Sequence, residues 1–170
     1  RGKDVLGNHN GRDIGLMAFG SFLKIKERFI VDYYVGAFNG QGINVTDKNN
    51  SKDIAGRLIF HPVTGLDVGG AYYSGYDNIT SSTYPNGKNF IRNRYGLELS
   101  YTWKKLGVKS EFINGKDGST NADGYVEREG YYVQASYFVK PKKFQLVAKY
   151  DTYEGDVKDP AAGKGDDVST

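Results

Sequence analysis

Apolar and polar residues alternate most regularly between Tyr95 and Asn114, on both sides of one short connection. In the first half, every second residue is apolar: Tyr95, Leu97, Leu99, Tyr101 and Trp103. Successive side chains of a strand point to opposite faces, so this period of two predicts a strand with one apolar and one polar face. The alternation resumes after the link from Lys104 to Gly107, which predicts an antiparallel hairpin.

The same period recurs in six further segments. With the hairpin it predicts eight antiparallel strands, near residues 13–22, 29–38, 53–61, 66–76, 94–103, 107–114, 130–139 and 144–153. Pro62 is expected to end the third strand because proline has no N–H to donate to the ladder. The links after strands one, three, five and seven are short, and those after strands two, four and six are long and polar, with Asp77 to Asn93 and Gly115 to Glu129 taken as loops.

This strict order of short and long links is typical of outer-membrane barrels, which have short periplasmic turns and long outer loops. Aromatic residues at both ends of the apolar stretches favour the same interpretation, because aromatic rings gather where lipid meets water. The sequence therefore predicts an all-β, up-and-down meander of eight strands, a transmembrane β-barrel or half of a sixteen-stranded one. Residues 1–170 form one barrel segment, with residues 1–11 as loop and 154–170 as loop or tail.

The two faces make this prediction specific. Six residues of the apolar face should point out of the barrel: Leu97, Leu99, Val133, Ala135, Leu146 and Ala148. Three of the polar face should point into it: Glu98, Gln134 and Lys149.

The composition agrees with a sheet that has one face in contact with water. Only 38% of the residues are hydrophobic and the mean hydropathy is −0.58, which is low for a compact soluble domain of this length. No apolar run is long enough for a transmembrane helix. The absence of cysteine excludes disulfides and thiolate metal sites. A net charge of +3, spread along the chain, gives little reason to expect nucleic acid as a partner.

Five segments resemble, in order, the phosphate-selective porin O/P family: RDIGLMAFG, YYVGAFNGQGIN, KDIAGRLIFHPVTGLDVGGAYYSGY, NRYGLELSY and KFQLVAKYDTYEGD. The resemblance implies a Gram-negative outer-membrane porin, a homotrimer in its complete form, that passes small anions such as phosphate along basic residues of the lumen. Because the chain has about half the strands of such a porin, no signal segment and no terminal aromatic strand, it is expected to be an internal fragment.

The polar face supplies the candidate lumen residues. The pore-lining candidates are Arg57, Arg94, Lys109, Lys149, Glu98 and Glu111. Further acids fall on the same face: Asp13, Asp32, Asp53, Asp67 and Asp151. Because the face has mixed sign, its charges are expected to pair across neighbouring strands, and a dedicated ladder of bases for anions is the alternative. Phosphate selectivity is implied by the resemblance alone.

Other chemistry is not favoured. Residues 47–53 and 117–123 have the alternating oxygen ligands of a calcium loop, but Lys52 and Leu58 stand where that loop needs Gly and Glu. His9 and His61 are the only histidines, and neither lies in a metal or nucleophile motif. We therefore expect no metal, no cofactor and no enzymatic activity.

Two alternatives remain open. One is a soluble lipocalin-like barrel that binds a small ligand, with its apolar face inside. The other is a self-contained eight-stranded membrane barrel with a structural or adhesion role, its lumen filled by pairs such as Arg57 with Asp67.

Overall fold

A computed structural model describes residues 13–40, 51–119, 124–140 and 143–157 of the 170-residue chain. These residues form eight strands: β1 (Gly15–Ile25), β2 (Arg28–Phe38), β3 (Asp53–Val63), β4 (Leu66–Ile79), β5 (Lys88–Trp103), β6 (Leu106–Gly118), β7 (Tyr125–Lys140) and β8 (Phe144–Glu154). Each strand pairs antiparallel with the next, giving one open sheet in sequence order with β1 and β8 at its edges. The predicted all-β meander is confirmed. None of the described residues lies in a helix able to cross a bilayer.

The register keeps the two predicted faces separate across the whole sheet. Leu99 is directly opposite Val68 on β4 and Ser110 on β6, whereas Glu98 is opposite Gly69 and Glu111. Directly paired residues share a face, so the apolar positions of all eight strands lie together and the polar positions lie together. We call these surfaces the apolar face and the polar face. The predicted division of these side chains between two faces of the sheet is confirmed.

Burial on the two faces is the reverse of that in a water-soluble sheet. On the apolar face Leu97 is 61% exposed and Leu146 is 55% exposed. On the polar face Asp53 is 0%, Arg94 3% and Arg92 5% exposed. Among the described residues, the buried hydrophobic side chains are those of Ile30 and Phe90 alone. The sheet therefore shelters its charges and leaves its aliphatic surface uncovered.

The sheet curves around its polar face. A hollow of about 390 Å³ is lined by residues from β1 to β6, among them Met17, Gly36, Ala55, Arg57 and Glu111. Side chains two strands apart also meet on this face, where Arg57 of β3 reaches across β4 to Glu98 of β5. One concavity shared by six strands requires the polar face to be the concave one. The apolar face is accordingly convex.

Four strands are at least three residues longer at the loop end than the sequence predicts. β4 continues to Ile79, β5 begins at Lys88 rather than near residue 94, β6 continues to Gly118, and β7 begins at Tyr125. The predicted loops Asp77 to Asn93 and Gly115 to Glu129 are therefore wrong for most of their length. In these extensions polar residues occupy both faces and apolar ones such as Phe90 and Ile91 also fall on both, so the difference in polarity that marks a strand is lost. Ladder hydrogen bonds and cross-strand ion pairs support them instead.

The short links also differ in detail. β1 runs on to Ile25, so the predicted link from Leu23 to Arg28 is wrong, and the turn is Lys26 and Glu27. These two residues have φ of 45° and 66°, the positive values of the two-residue hairpin turn whose twist matches that of the strands. β3 passes through Pro62 to Val63 with a register shift after Phe60. Proline is tolerated at such an irregularity because its residue leaves the ladder, and the predicted stop at Pro62 is wrong.

Candidate functional site

All six predicted pore-lining residues lie on the polar face. Arg57 binds Glu98 with two parallel hydrogen bonds, from Nε to Oε1 at 2.7 Å and from Nη2 to Oε2 at 2.6 Å. This two-pronged geometry is the strongest arrangement for a guanidinium and a carboxylate. Arg57 also lies 5.9 Å from the ring centroid of Tyr34. Its charge is thus neutralised within the wall.

Arg94 and Lys149 are paired as well. The Arg94 side chain is 3% exposed, and its Nη2 donates to Asp117 Oδ1 at 2.6 Å. Lys149 Nζ is 3.4 Å from Asp151 and 4.9 Å from the ring centroid of Tyr132. Three of the four candidate bases therefore have a carboxylate partner. The predicted pairing across neighbouring strands is confirmed for Arg94 with Asp117, whereas Arg57 pairs two strands away and Lys149 pairs within β8.

Lys109 is different from the other three bases. It is exposed on the polar face, directly opposite Ser100 and Gln134, and no carboxylate within the described ranges pairs with it. Glu111, two residues away on β6, faces Glu98 directly. Like charges placed opposite each other are unfavourable, so the bond from Arg57 to Glu98 also relieves that repulsion. The middle of the wall consequently has one unpaired cation close to a compensated acidic pair.

A buried polar cluster lies toward the loop end of this face. Arg92 Nη2 lies 3.0 Å from Asp53 Oδ2 and 3.0 Å from the Tyr73 hydroxyl oxygen, and Tyr73 donates its hydroxyl proton to Asp53. Asp53 Oδ1 accepts from the backbone N–H of Tyr76 at 3.1 Å. A Cβ on Gly75 would overlap the Asp53 carboxylate. The cluster therefore depends on glycine at position 75.

A second cluster lies beside it, where Asp117 bridges Arg94 and Arg128. Arg92 and Arg128 were not predicted as residues of the polar face, because both fall in segments that the sequence predicts as loops. One signal was present: Phe90, Arg92 and Arg94 continue the polar parity of β5, with Ile91 and Asn93 between them. The alternation therefore begins before Tyr95, the first residue of the regular apolar series.

His61 joins the short-turn end of the polar face. Its Nδ1 is 2.6 Å from Asp67 Oδ1, and its Nε2 is 3.1 Å from Asp32 Oδ2. The suggested pair of Arg57 with Asp67 is therefore wrong, since Asp67 bonds to His61. No group of metal-ligating side chains was found among the described residues. Of the partial calcium loops, residues 47–50 lie outside the described ranges, and Asp117 belongs to β6 with two arginine partners.

On the apolar face, an aromatic row crosses five neighbouring strands. We define this aromatic row as Tyr72, Tyr95, Phe112, Tyr131 and Tyr150. The rings of Tyr95 and Phe112 are 6.0 Å apart, and those of Tyr131 and Tyr150 are 6.2 Å apart. The next residues on the same face are polar: Ser74, Asn93, Asn114, Glu129 and Thr152. An exposed pair, Tyr76 opposite Ile91, lies beyond them.

The aromatic row is inclined to the ladders. The ladder partners of Tyr72 on the following strands are Tyr95, Asn114, Glu129 and Glu154. The row instead ends at Tyr150, four residues before Glu154 and four strands from β4. The row therefore shifts by one residue for each strand it crosses. This is about 3.3 Å along the strand for about 4.8 Å across the sheet, a slope of about 35°. This slope is similar in size to the tilt of strands in membrane barrels, about 35–45°.

Comparisons with protein-family models, with curated proteins and with solved structures found no match. The resemblance to the phosphate-selective porins consequently rests on the sequence segments quoted above.

Proposed function

We propose that this chain is part of the wall of a passive diffusion pore in the Gram-negative outer membrane. Its convex apolar face would contact lipid, and its concave polar face would line a water-filled passage. The observation that carries the proposal is the reversed burial, with Asp53, Arg92 and Arg94 sheltered while the aliphatic surface is exposed. Water on the concave side and lipid on the convex side would make both arrangements favourable.

The height of the apolar band supports this assignment. On β5 the band runs from Tyr95 to Trp103, with aromatic residues at both ends. Nine residues extend about 27 Å along a strand, and at a tilt of about 35–40° they rise about 21–22 Å. Outer-membrane barrels present an apolar band about 25 Å tall between aromatic girdles. The lengths agree, and the polar extensions of β5 to β7 would then stand outside the bilayer.

The two edge strands determine what the complete wall requires. Unpaired backbone groups at an edge are not tolerated in lipid, so β1 and β8 need further pairing. Eight strands that close on themselves leave an interior filled by side chains, whereas an aqueous channel takes about sixteen. We propose that additional strands complete the barrel and, following the resemblance, that the complete protein is a homotrimer.

The permeant class is proposed as small anions such as phosphate, which the resemblance implies. In the wall itself Lys109 is the best-placed residue to contact a passing anion, because it is exposed on the polar face and the other bases are paired. The paired charges make the remaining wall nearly neutral. We therefore expect this half of the wall to contribute a modest anion preference.

The test is the reversal potential of single channels that the complete protein forms in planar bilayers under a salt gradient. Lys109→Gln should lower the anion preference, while Lys116→Gln, which removes the same charge from the other face of β6, should leave it unchanged. A wild-type channel without anion preference would refute the proposed selectivity. The absence of any conductance would refute the pore.

A second candidate is a self-contained eight-stranded barrel with a structural or adhesion role. The cluster of Asp53, Tyr73 and Arg92 favours it, because buried ion pairs of this kind fill narrow barrel interiors. Stable insertion as a monomer without conductance would select this candidate. The lipocalin-like alternative requires the apolar face inside, and the curvature of the sheet argues against it.

A further inference from the structure

Charge is distributed unequally between the two ends of the sheet. The described residues of the β1–β2, β5–β6 and β7–β8 links and of the strand ends that flank them include seven cations and one carboxylate: Lys24, Lys26, Arg28, Lys104, Lys105, Lys140 and Lys143 against Glu27. At the opposite end, carboxylates outnumber cations within the described ranges. The short-turn end is therefore strongly positive. We call these seven residues the basic rim.

Three cations of the basic rim each accompany an exposed aromatic residue of the apolar face. Lys104 Nζ lies 4.5 Å from the ring centroid of Trp103. Lys24 is directly opposite Phe29, and Lys140 is directly opposite Phe144. The three aromatic side chains are 55%, 48% and 54% exposed, respectively. These pairs belong to three hairpins, so the arrangement extends across the whole sheet.

The chemistry of these pairs indicates what they contact. An aromatic ring at the border of the apolar band would lie at the limit of the acyl chains. A lysine beside it can lay its methylene groups along the apolar surface and extend its ammonium to the headgroups. The groups found there in an anionic leaflet are phosphates, which attract ammonium ions by about 1 kcal/mol for each cation near the surface.

Arg28 adds to this charge without being neutralised. Its guanidinium donates to the backbone oxygens of His61 and Pro62 at 3.1 and 3.0 Å and to the Thr64 hydroxyl at 3.1 Å. These acceptors are uncharged, so the net positive charge remains. These hydrogen bonds place the Arg28 guanidinium over the β3–β4 turn, which is the one short link that has no lysine or arginine of its own.

We propose that the basic rim binds the headgroups of anionic phospholipids in the bilayer leaflet at the short-turn end. This inference rests on the proposed membrane location and goes beyond it, because it assigns a lipid class and one leaflet. The rim would hold the sheet at a fixed depth and enrich anionic lipid around the barrel. Neither effect involves the polar face or the passage.

Trp103 offers a direct probe because it is the single tryptophan of the sequence and lies within the rim. The protein is reconstituted in bilayers containing either brominated phosphatidylglycerol or brominated phosphatidylcholine, whose bromines quench tryptophan on contact. We expect the anionic lipid to bind near Trp103 at least about threefold more strongly at low salt. The preference should fall toward unity in high salt.

Two sets of variants separate the rim from other lysines. The double variant Lys24→Gln with Lys140→Gln should reduce the preference while preserving the contact of Lys104 with Trp103. The matched control, Lys52→Gln with Lys88→Gln at the opposite end, should leave it unchanged. Equal quenching by both lipids in the unmodified protein would overturn the inference. Quenching by neither lipid would overturn the membrane location itself, so the two failures are distinguishable.

Discussion

The short-turn half of the sheet and its loop-end extension are built on different principles. In the short-turn half one face is aliphatic and the other polar, and the aliphatic face is exposed. In the extension, which comprises residues 88–93, 115–118 and 125–129, ion pairs connect neighbouring strands, such as Lys116 with Glu127 and Arg128 with Asp117. The first half leaves its aliphatic side chains uncovered, whereas the second connects its strands through ion pairs, some of them buried. The change from one arrangement to the other lies inside the sheet rather than at the strand ends.

The largest effect is expected from breaking the buried cluster of the extension. Asp53→Ala removes the nearer carboxylate of the buried Arg92 guanidinium, at 3.0 Å, and leaves Asp77 at 3.9 Å; breaking a buried pair in this way costs about 3–5 kcal/mol. Denaturant titration of the reconstituted protein would measure this loss. Glu27→Ala, which removes an exposed partner of Lys24 in a turn, is the control and should have no measurable effect. Equal stability of the two variants would show that the cluster carries no stabilisation.

A comparable effect is expected from placing a charge on the apolar face of the short-turn half. Leu99→Arg should cost about 2–4 kcal/mol if the residue lies near the bilayer midplane. Ser100→Arg places the same side chain on the polar face, opposite Asp67 and Lys109, and should cost much less. The measurement is the free energy of unfolding in lipid. Equal costs at the two positions would contradict the assignment of the faces.

A smaller effect separates two glycines of the same strand. Gly75→Ala introduces a Cβ against the Asp53 carboxylate, and overpacking of this kind costs about 1–3 kcal/mol. Gly70→Ala has its nearest neighbours at 3.7 Å and should be neutral or slightly stabilising. Thermal unfolding of the two variants gives the comparison. A neutral Gly75→Ala would mean that the cluster can shift to make room.

The sequence predicts the short-turn half well and the extension poorly, for a physical reason. Alternation reports a strand only while its two faces differ in polarity, as from Tyr95 to Trp103. At Arg92 and Asn93 both faces are polar, and the pattern is indistinguishable from a loop. What forms the strand there is the pairing of Arg92, Asp117 and Arg128 with partners distant in sequence, which one strand alone does not reveal.

The candidate site divides in the same way. Parity along each strand places Arg57, Arg94, Lys109 and Lys149 on the polar face, as predicted. Their partners depend on register and curvature. Arg57 binds Glu98 two strands away rather than Asp67, which is closer in the sequence and lies on the adjacent strand. Because the register is fixed by contacts over the whole sheet, the sequence identifies the wall residues but not which charges remain unpaired.

The central claim is that the polar face meets water while the apolar face meets lipid, and thiol labelling along β5 tests it most directly. The sequence has no cysteine, so single substitutions at positions 96 to 102 can be labelled without background. With the protein in bilayers, a charged maleimide should modify cysteine at 96, 98, 100 and 102 and leave 97, 99 and 101 unmodified. Uniform labelling, or labelling with the opposite parity, would contradict the account.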